Sequence, residues 1–450
     1  NYFLWWRGQM AGRRTKEEQI NRKRSHFYRD NVGVIVLCGG EGKRLSPLTC
    51  WRCKPTVSFG GRYKLIDVPI SHAFASEFSK IFVIGQYLTY TLQQHLFKTY
   101  FYHGVMQDQI HLLVPERRDG SQVWYQGTAD AIRQNLLYLQ DSRVEYFLIL
   151  SGDQLYNMDF RSIVDYAIDA QADMVIASQP VSDKDVSRFG VLKVDDESKL
   201  IDFYEKPQSE EILKHFRLSN TAMKKFGLDP QHGNFLGSMG IYLFRKDCLF
   251  QLLLEETGDD FGKELIHRQM HRGKTVAYLY DGYWTDIGTI ESYYEANMAL
   301  TQRPSHNIRG FNCYDDGGII YSKNNHLPGA IISDSRISSS LLCEGAMIES
   351  GQVSNSVVGV RGVIGQGSVF DRSIMMGSDS YGSESFPLGI GKNCEIHKTI
   401  IDENCCIGNG VRLQNLQGHK DYDSPDGKLV VRDGIIIVPR GTQIPDNYVF

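Results

Sequence analysis

No stretch of this 450-residue chain approaches the roughly 18 to 20 consecutive apolar residues that span a bilayer, so a soluble protein without a membrane partner is expected. An excess of one charge is lacking too. The formal net charge is −4, which leaves no broad electrostatic footprint for nucleic acid. The nine cysteines are odd in number and scattered, and no secretory signal is evident, so reduced thiols in a cytoplasmic protein are expected in place of a disulfide framework. Cys50 and Cys53 form a Cys-x-x-Cys, but no second pair stands at zinc-site spacing. The thirteen histidines show no metal-ligand spacing, and no Ser-His-Asp grouping stands out.

What the chain has is length and 42% apolar residues, enough for about two or three domains. Residues 1–30 carry eight Lys or Arg against three Asp or Glu behind a leading run of aromatics. They read as a basic, aromatic N-terminal arm that meets an anionic effector or a neighbouring subunit, or as a solvated leader that packs a few aromatics. Residues 31–303 alternate strand and helix patterns, with strands at 32–37, 81–85, 146–150, 174–178 and 240–244 and helices at 89–97, 129–140 and 160–170. This alternation predicts an α/β domain with a Rossmann-like, mostly parallel sheet that binds its ligand beyond the carboxyl ends of the strands. In residues 304–450 helical periodicity disappears, and short apolar pairs such as Ile331-Ile332, Val357-Val358 and Ile400-Ile401 recur about every six residues between Gly, Asn, Ser and Asp. That period predicts hexapeptide repeats stacked as a parallel β-helix, with an irregular β-sandwich as the alternative.

Several segments could carry chemistry. The first strand breaks into Gly39, Gly40 and Gly42 with Arg44 and Lys54 close behind. Glycines let backbone N–H groups approach a polyanion, and two cations beside them suit a triphosphate better than a plain turn does. The spacing is neither a Rossmann fingerprint nor a P-loop. Asp153 leaves an apolar strand through Ser151-Gly152, and Asp286 lies among aromatics and glycines in 282–289. Two carboxylates on separate segments suit Mg²⁺, which fills its octahedron with water and phosphate oxygens; a turn aspartate is the bland reading of either alone. Glu205-Lys206 closes a strand and could seat the phosphate of a second substrate, or be a surface turn. Thr128 after Gly127 opens a helix, where it touches a base or sugar or simply caps the helix. Ser238 starts a strand, compatible with a sugar contact or with tight packing.

The order of these segments carries a resemblance. Gly39 to Thr49, Arg52 to Pro55, Trp124 to Asp130, Ser151 to Tyr156, Glu205 to Pro207, Gly237 to Gly240 and Tyr283 to Gly288 together closely resemble the glucose-1-phosphate adenylyltransferase (ADP-glucose pyrophosphorylase) family of sugar nucleotidyltransferases. The resemblance covers nearly the whole chain after the leader and implies a C-terminal left-handed β-helix that serves regulation and oligomerisation. It implies ATP and α-D-glucose 1-phosphate as substrates, ADP-glucose and pyrophosphate as products, and the committed step of glycogen or starch synthesis. By the same resemblance Asp153 and Asp286 hold Mg²⁺ and Arg44 presses on the departing phosphates, with Lys54 beside them. Glu205 and Lys206 seat glucose 1-phosphate, Gln86 meets adenine, and Tyr125, Gly127 and Ser238 line the pocket. A homotetramer under allosteric control is implied as well.

Departures from the family pattern bear on that control. Trp51 and Cys53 flank Arg52, and in residues 401–408 Glu403 and Cys406 stand where plant-type relatives carry cations. The effector is therefore left open. Three rivals stand beside this reading: the same fold using UTP, dTTP or GTP; a non-catalytic regulatory subunit; and an acyltransferase built on the β-helix.

Overall fold

β-Branched and apolar side chains make Val32–Cys38 a strand buried along nearly its whole length, and it lies inside a nine-stranded sheet. The computed structural model describes residues 16–101, 109–116, 124–219, 223, 233–302, 310–314 and 318–450. Across the sheet run Leu200–Glu205, Gly190–Val194, Phe235–Arg245, Tyr146–Ser151, Val32–Cys38, Lys80–Gly85 and Ile110–Leu113, with Met174–Val181 also on Phe235–Arg245 and Thr275–Leu279 beyond it. Val32–Cys38 is parallel to both neighbours. Its side chains alternate between two cores. Val34 and Val36 join Ile81, Val83, Leu148 and Leu150, whereas Ile35 joins Ile84, Phe147 and Ile149, as a sheet covered on both faces requires.

The sheet is mostly parallel, but Phe235–Arg245 and Leu200–Glu205 run against the rest. Phe235–Arg245 is longer than residues 240–244 because, beside Met174–Val181, it serves two further neighbours in turn. Its start pairs with Gly190–Val194 and its end with Tyr146–Ser151. The register shifts between Ser238 and Tyr242, where Gly240 takes a left-handed φ of 69°; a bulge of this kind bends a strand towards a new partner.

One helical reading needs correction. Residues 129–140 do not form one helix: Thr128–Arg133 ends and a 3₁₀ turn Leu136–Leu139 follows. Between them the Asn135 amide donates to the Ala131 carbonyl at 2.8 Å and to the Tyr125 hydroxyl at 2.9 Å, a side-chain bond that competes with helix continuation. Thr89–Leu96 passes into a wider π turn at Phe97–Phe101, while Arg161–Asp169 matches its pattern. The described part of the N-terminal arm packs some of its aromatics. Lys16–Asn31 is a helix running into the first strand, with Tyr28 buried and its hydroxyl donating to Asp165 at 2.7 Å. The leading aromatics lie outside the described residues.

The C-terminal repeats stack as a three-faced parallel β-helix. Ile331 pairs with Met347 and Met347 with Val363 on one face, and Ile348, Val353, Val358, Ile364 and Phe370 fill the interior. Residues such as Ser339, Asn355 and Asn404 turn the corners with left-handed φ, a conformation that short polar side chains tolerate.

The two domains share buried material. Phe59 and Leu300 of the first and Ile400 and Ile437 of the second belong to one apolar cluster. The Val360 N–H donates to the Gly61 carbonyl at 3.0 Å. Gly61 has a φ of 69°, and a Cβ there would sit 2.7 Å from the Gly359 Cα, so only glycine allows this approach. Arg52 is buried against Asp402 at 2.5 Å and Glu403 at 3.4 Å, and Lys64 reaches Glu403 at 2.5 Å. Glu403 is thus a buried partner of cations from the first domain.

Candidate active site

A cleft of 710 Å³ opens where Val32–Cys38, Lys80–Gly85 and Tyr146–Ser151 end, the edge at which parallel sheets bind ligands. Gly39, Gly40, Lys54, Gln86, Tyr125, Gly127, Thr128, Asp153, Glu205 and Lys206 all line it. Segments far apart in sequence therefore meet at one place. A Cβ added to Gly39 or Gly40 would meet no protein atom within 4 Å, so the protein itself does not demand glycine there. The open space in front of their backbone is what an approaching polyanion can use.

Gly42, Arg44, Ser238 and Asp286 are not among the cleft's lining residues. Gly42 has a structural reason for being glycine: its φ is 66°, a Cβ would lie 3.1 Å from both Lys54 and Thr49, and its carbonyl accepts the Thr49 hydroxyl at 3.0 Å. Arg44, on the turn Lys43–Leu45, points to Asp286 instead. A Cβ built on Gly288 would lie 3.5 Å from Arg44 Nη2 and 2.8 Å from Asp286 Oδ2. Ser238 is buried, accepts the Gly240 N–H at 3.2 Å and bonds the hydroxyl of cleft-lining Tyr242.

Asp286 sits on Trp284–Asp286, antiparallel to Gln154–Tyr156 with Asp286 opposite Gln154, and the Ile287 N–H reaches back to the Asp153 carbonyl at 3.4 Å. Charges converge here. Burial acts to raise the Asp153 carboxyl, but the Lys54 ammonium bonded to it and the Ser151 hydroxyl prevail and hold it below its ordinary value. Burial and then the Asp153 charge push the Asp286 carboxyl up. Burial opposes the charged form of Lys54, yet Asp153 and Asp286 raise it. Asp153 and Asp286 are thus two buried oxygen donors whose mutual repulsion a cation relieves. Among the described residues no group of three or more His, Cys, Asp or Glu is arranged for a metal.

The opposite half of the cleft is organised by backbone contacts. Gln86 accepts the Tyr125 N–H at 2.6 Å and donates to the Tyr125 carbonyl at 3.3 Å, so its amide clamps a neighbouring segment. Thr128 is not a helix cap. Its hydroxyl accepts the Phe261 N–H at 3.2 Å and donates to Asp260 at 3.2 Å. Gly127 is extended, and a Cβ on it would lie 2.3 Å from the Asp259 carbonyl. Lys206 has a left-handed φ of 51°, an uncommon state for a lysine. Its ammonium is exposed beside Glu205 at 3.3 Å.

Residues 33–303 match the family model described as nucleotidyl transferase. The chain belongs to the nucleotidyl transferase family. Residues 325–449 match the GLGC left-handed parallel beta-helix domain, which gives the stacked repeats their hand. A nucleotidyl transferase domain followed by this β-helix is the architecture of ADP-glucose pyrophosphorylase-like enzymes. The nucleotidyl transferase cleft also contains residues that sequence reasoning passed over: Tyr242, Asp260 and Phe261 line it. Tyr242 is an outward neighbour of Ser238 on one strand, and Asp260-Phe261-Gly262 is a turn signal preceding a helical pattern. Both cysteines of the Cys-x-x-Cys are free, Cys50 exposed and Cys53 buried. Among the described residues no helix is long and apolar enough to cross a membrane.

Proposed function

We propose that this chain is a Mg²⁺-dependent glucose-1-phosphate adenylyltransferase, joining ATP and α-D-glucose 1-phosphate into ADP-glucose with release of pyrophosphate. The observation that carries the reading is the union of a nucleotidyl transferase domain with a GLGC-type β-helix in one chain. The cleft adds support, because Lys54, open glycine backbone and Glu205-Lys206 all line it.

Asp153 and Asp286 would hold Mg²⁺, whose charge, when bound, neutralises the nucleotide phosphates. Lys54 keeps Asp153 ionised and is placed to donate to a phosphate oxygen instead once nucleotide arrives. Gly39 and Gly40 present backbone N–H groups to the triphosphate, and Arg44 stabilises the charge that builds up on departing pyrophosphate. Tyr125, held by Gln86, and Gly127 and Thr128 shape the nucleoside side. Lys206 with Glu205 orients glucose 1-phosphate so that its oxygen attacks the α-phosphorus opposite the leaving group. That phosphate has its second pKa at about 6 and needs no general base, in accord with a cleft whose described lining contains no histidine.

The enzyme works in this reading as a cytoplasmic homotetramer in the committed step of glycogen or starch synthesis, under an allosteric small molecule of open identity. Turnover measured with Mg²⁺, glucose 1-phosphate and each of ATP, UTP, dTTP and GTP tests it. ATP is expected to give the highest kcat/KM. Preference for another nucleotide would replace the adenylyl assignment, and absence of turnover with all four would favour a regulatory subunit.

A further inference from the structure

The 3₁₀ turn Val186–Arg188 leads into the strand Gly190–Val194 beside the candidate active site. Arg188 ends that turn with weak local ties. Among the described residues its ion pair is with Asp185 at 3.7 Å, with 41% and 51% of the two side chains exposed, and a pair so exposed contributes little. Its guanidinium carbon lies 5.8 Å from the centre of the Phe189 ring, an arrangement that leaves the in-plane N–H donors directed outwards.

Phe189 ties this turn to both halves of the site. Its ring packs 5.3 Å from Trp284, the first residue of the strand carrying Asp286. Its carbonyl accepts the Lys206 N–H at 3.1 Å. Arg188 is therefore held on a segment that contacts both the Glu205-Lys206 turn and the strand carrying Asp286, and with Lys54 and Arg44 it is one of three cations in the neighbourhood of that carboxyl. Those other two cations belong to the phosphate-loop side: Lys54 is bonded to Asp153, and Arg44 approaches past Gly288. Neither Arg188 nor Asp286 is among the residues lining the cleft, but Arg188 adjoins Phe189, which touches both the Lys206 turn and the Asp286 strand.

We propose that Arg188 is a further substrate-binding residue, whose guanidinium grips the phosphate of the sugar phosphate and makes the site select a phosphorylated sugar over a neutral one. This role deepens the adenylyl-transfer reading and rests on it for the identity of the sugar. A guanidinium fork matches two phosphate oxygens, where an ammonium supplies one point charge. Replacement by lysine and by glutamine therefore has graded consequences.

The test titrates the full chain and its Arg188→Lys and Arg188→Gln variants with glucose 1-phosphate by calorimetry, in the presence of Mg²⁺ and an ATP analogue with a methylene in place of the α,β-bridging oxygen, alongside turnover assays. Arg188→Gln should raise the Kd and KM for glucose 1-phosphate about 10-fold or more, Arg188→Lys should raise them less, and affinity for the ATP analogue should be unchanged. Unaltered glucose 1-phosphate affinity in Arg188→Gln overturns the role, as does an equal loss for the nucleotide, which marks a structural effect. Failure of the adenylyl-transfer reading looks different: wild-type chain binds the sugar phosphate but turns over only with another nucleotide or not at all, while Arg188 still sets sugar-phosphate affinity. A wild-type chain with no affinity for glucose 1-phosphate overturns both.

Discussion

Lys54 and Asp153 form a buried ion pair at the centre of the cleft, and each keeps the other charged. Removing Asp153 takes away a metal ligand in the proposed reading and leaves an ammonium without its nearest anion. Asp153→Ala should lower kcat by about 10²-fold or more while the circular dichroism spectrum persists; near-normal turnover would exclude Asp153 from the mechanism. Arg44 lies towards Asp286 and outside the cleft lining, which suits a group that meets the departing phosphates more than the bound nucleoside. Arg44→Ala should reduce kcat by about 10²-fold with little change in the Kd for ATP measured by calorimetry. A large loss of ATP affinity with unchanged kcat would assign Arg44 to ground-state binding instead. Most of this site was legible because Gly39, Asp153, Lys206 and Asp286 stand in punctuated segments at strand ends. What could not be read was partnership. The pairing of Gln86 with the Tyr125 backbone and of Thr128 with Asp260 joins residues separated by dozens of positions, and local pattern holds no record of such distances.

The strand Gln154–Tyr156, which follows Asp153, is backed by the helix Asp67–Ala75, which places His72 beside Tyr156, their rings 5.6 Å apart. His72 Nε2 is buried without a hydrogen-bond partner among the described residues, and burial lowers the imidazole pKa from 6.5 to about 4. An unfolded histidine takes up a proton below about pH 6.5 that the folded one refuses until about pH 4. Its contribution is therefore complete above the unfolded pKa and lost as pH falls through this window, amounting to about 3 kcal/mol. His72→Gln should flatten the pH dependence of unfolding free energy between these values, as read by urea titration; an unchanged slope would show that His72 titrates normally in the fold. Strands were the most legible elements, since residues 81–85 and 146–150 lie within one position of the observed strand limits. Helix ends and strand direction were less so. Asn135 breaks its helix by a side-chain bond to Tyr125, and Phe235–Arg245 runs antiparallel to its neighbours and bends between two of them at Gly240; both are decided by tertiary contacts that periodicity does not contain.

At the scale of the whole molecule, Arg52 binds the β-helix to the phosphate-loop region. It is buried against Asp402 and Glu403, two residues before Lys54, and Lys64, Arg440 and the Ser58 hydroxyl complete the surroundings of Glu403. Burial alone would raise the Glu403 carboxyl, but Lys64 and Arg52 hold it far below the usual carboxylate range. Burial together with the Glu403 charge pushes Asp402 up, so Arg52 offsets a repulsion that the fold itself creates. Deleting one member of such a network strands a buried charge and costs about 3–5 kcal/mol, whereas replacing the group as a whole by apolar or neutral residues of similar volume is close to neutral. Arg52→Met should therefore lower the unfolding midpoint in scanning calorimetry, and because the domains share one apolar cluster, the loss should spread to both. The quadruple variant Arg52→Met, Lys64→Met, Asp402→Leu, Glu403→Gln, which leaves only the part-exposed Arg440 without its partner, should recover most of that stability. If Arg52→Met melts like the wild type, the network is not what joins the domains, and the shared apolar contacts of Phe59, Ile400 and Ile437 carry the junction alone.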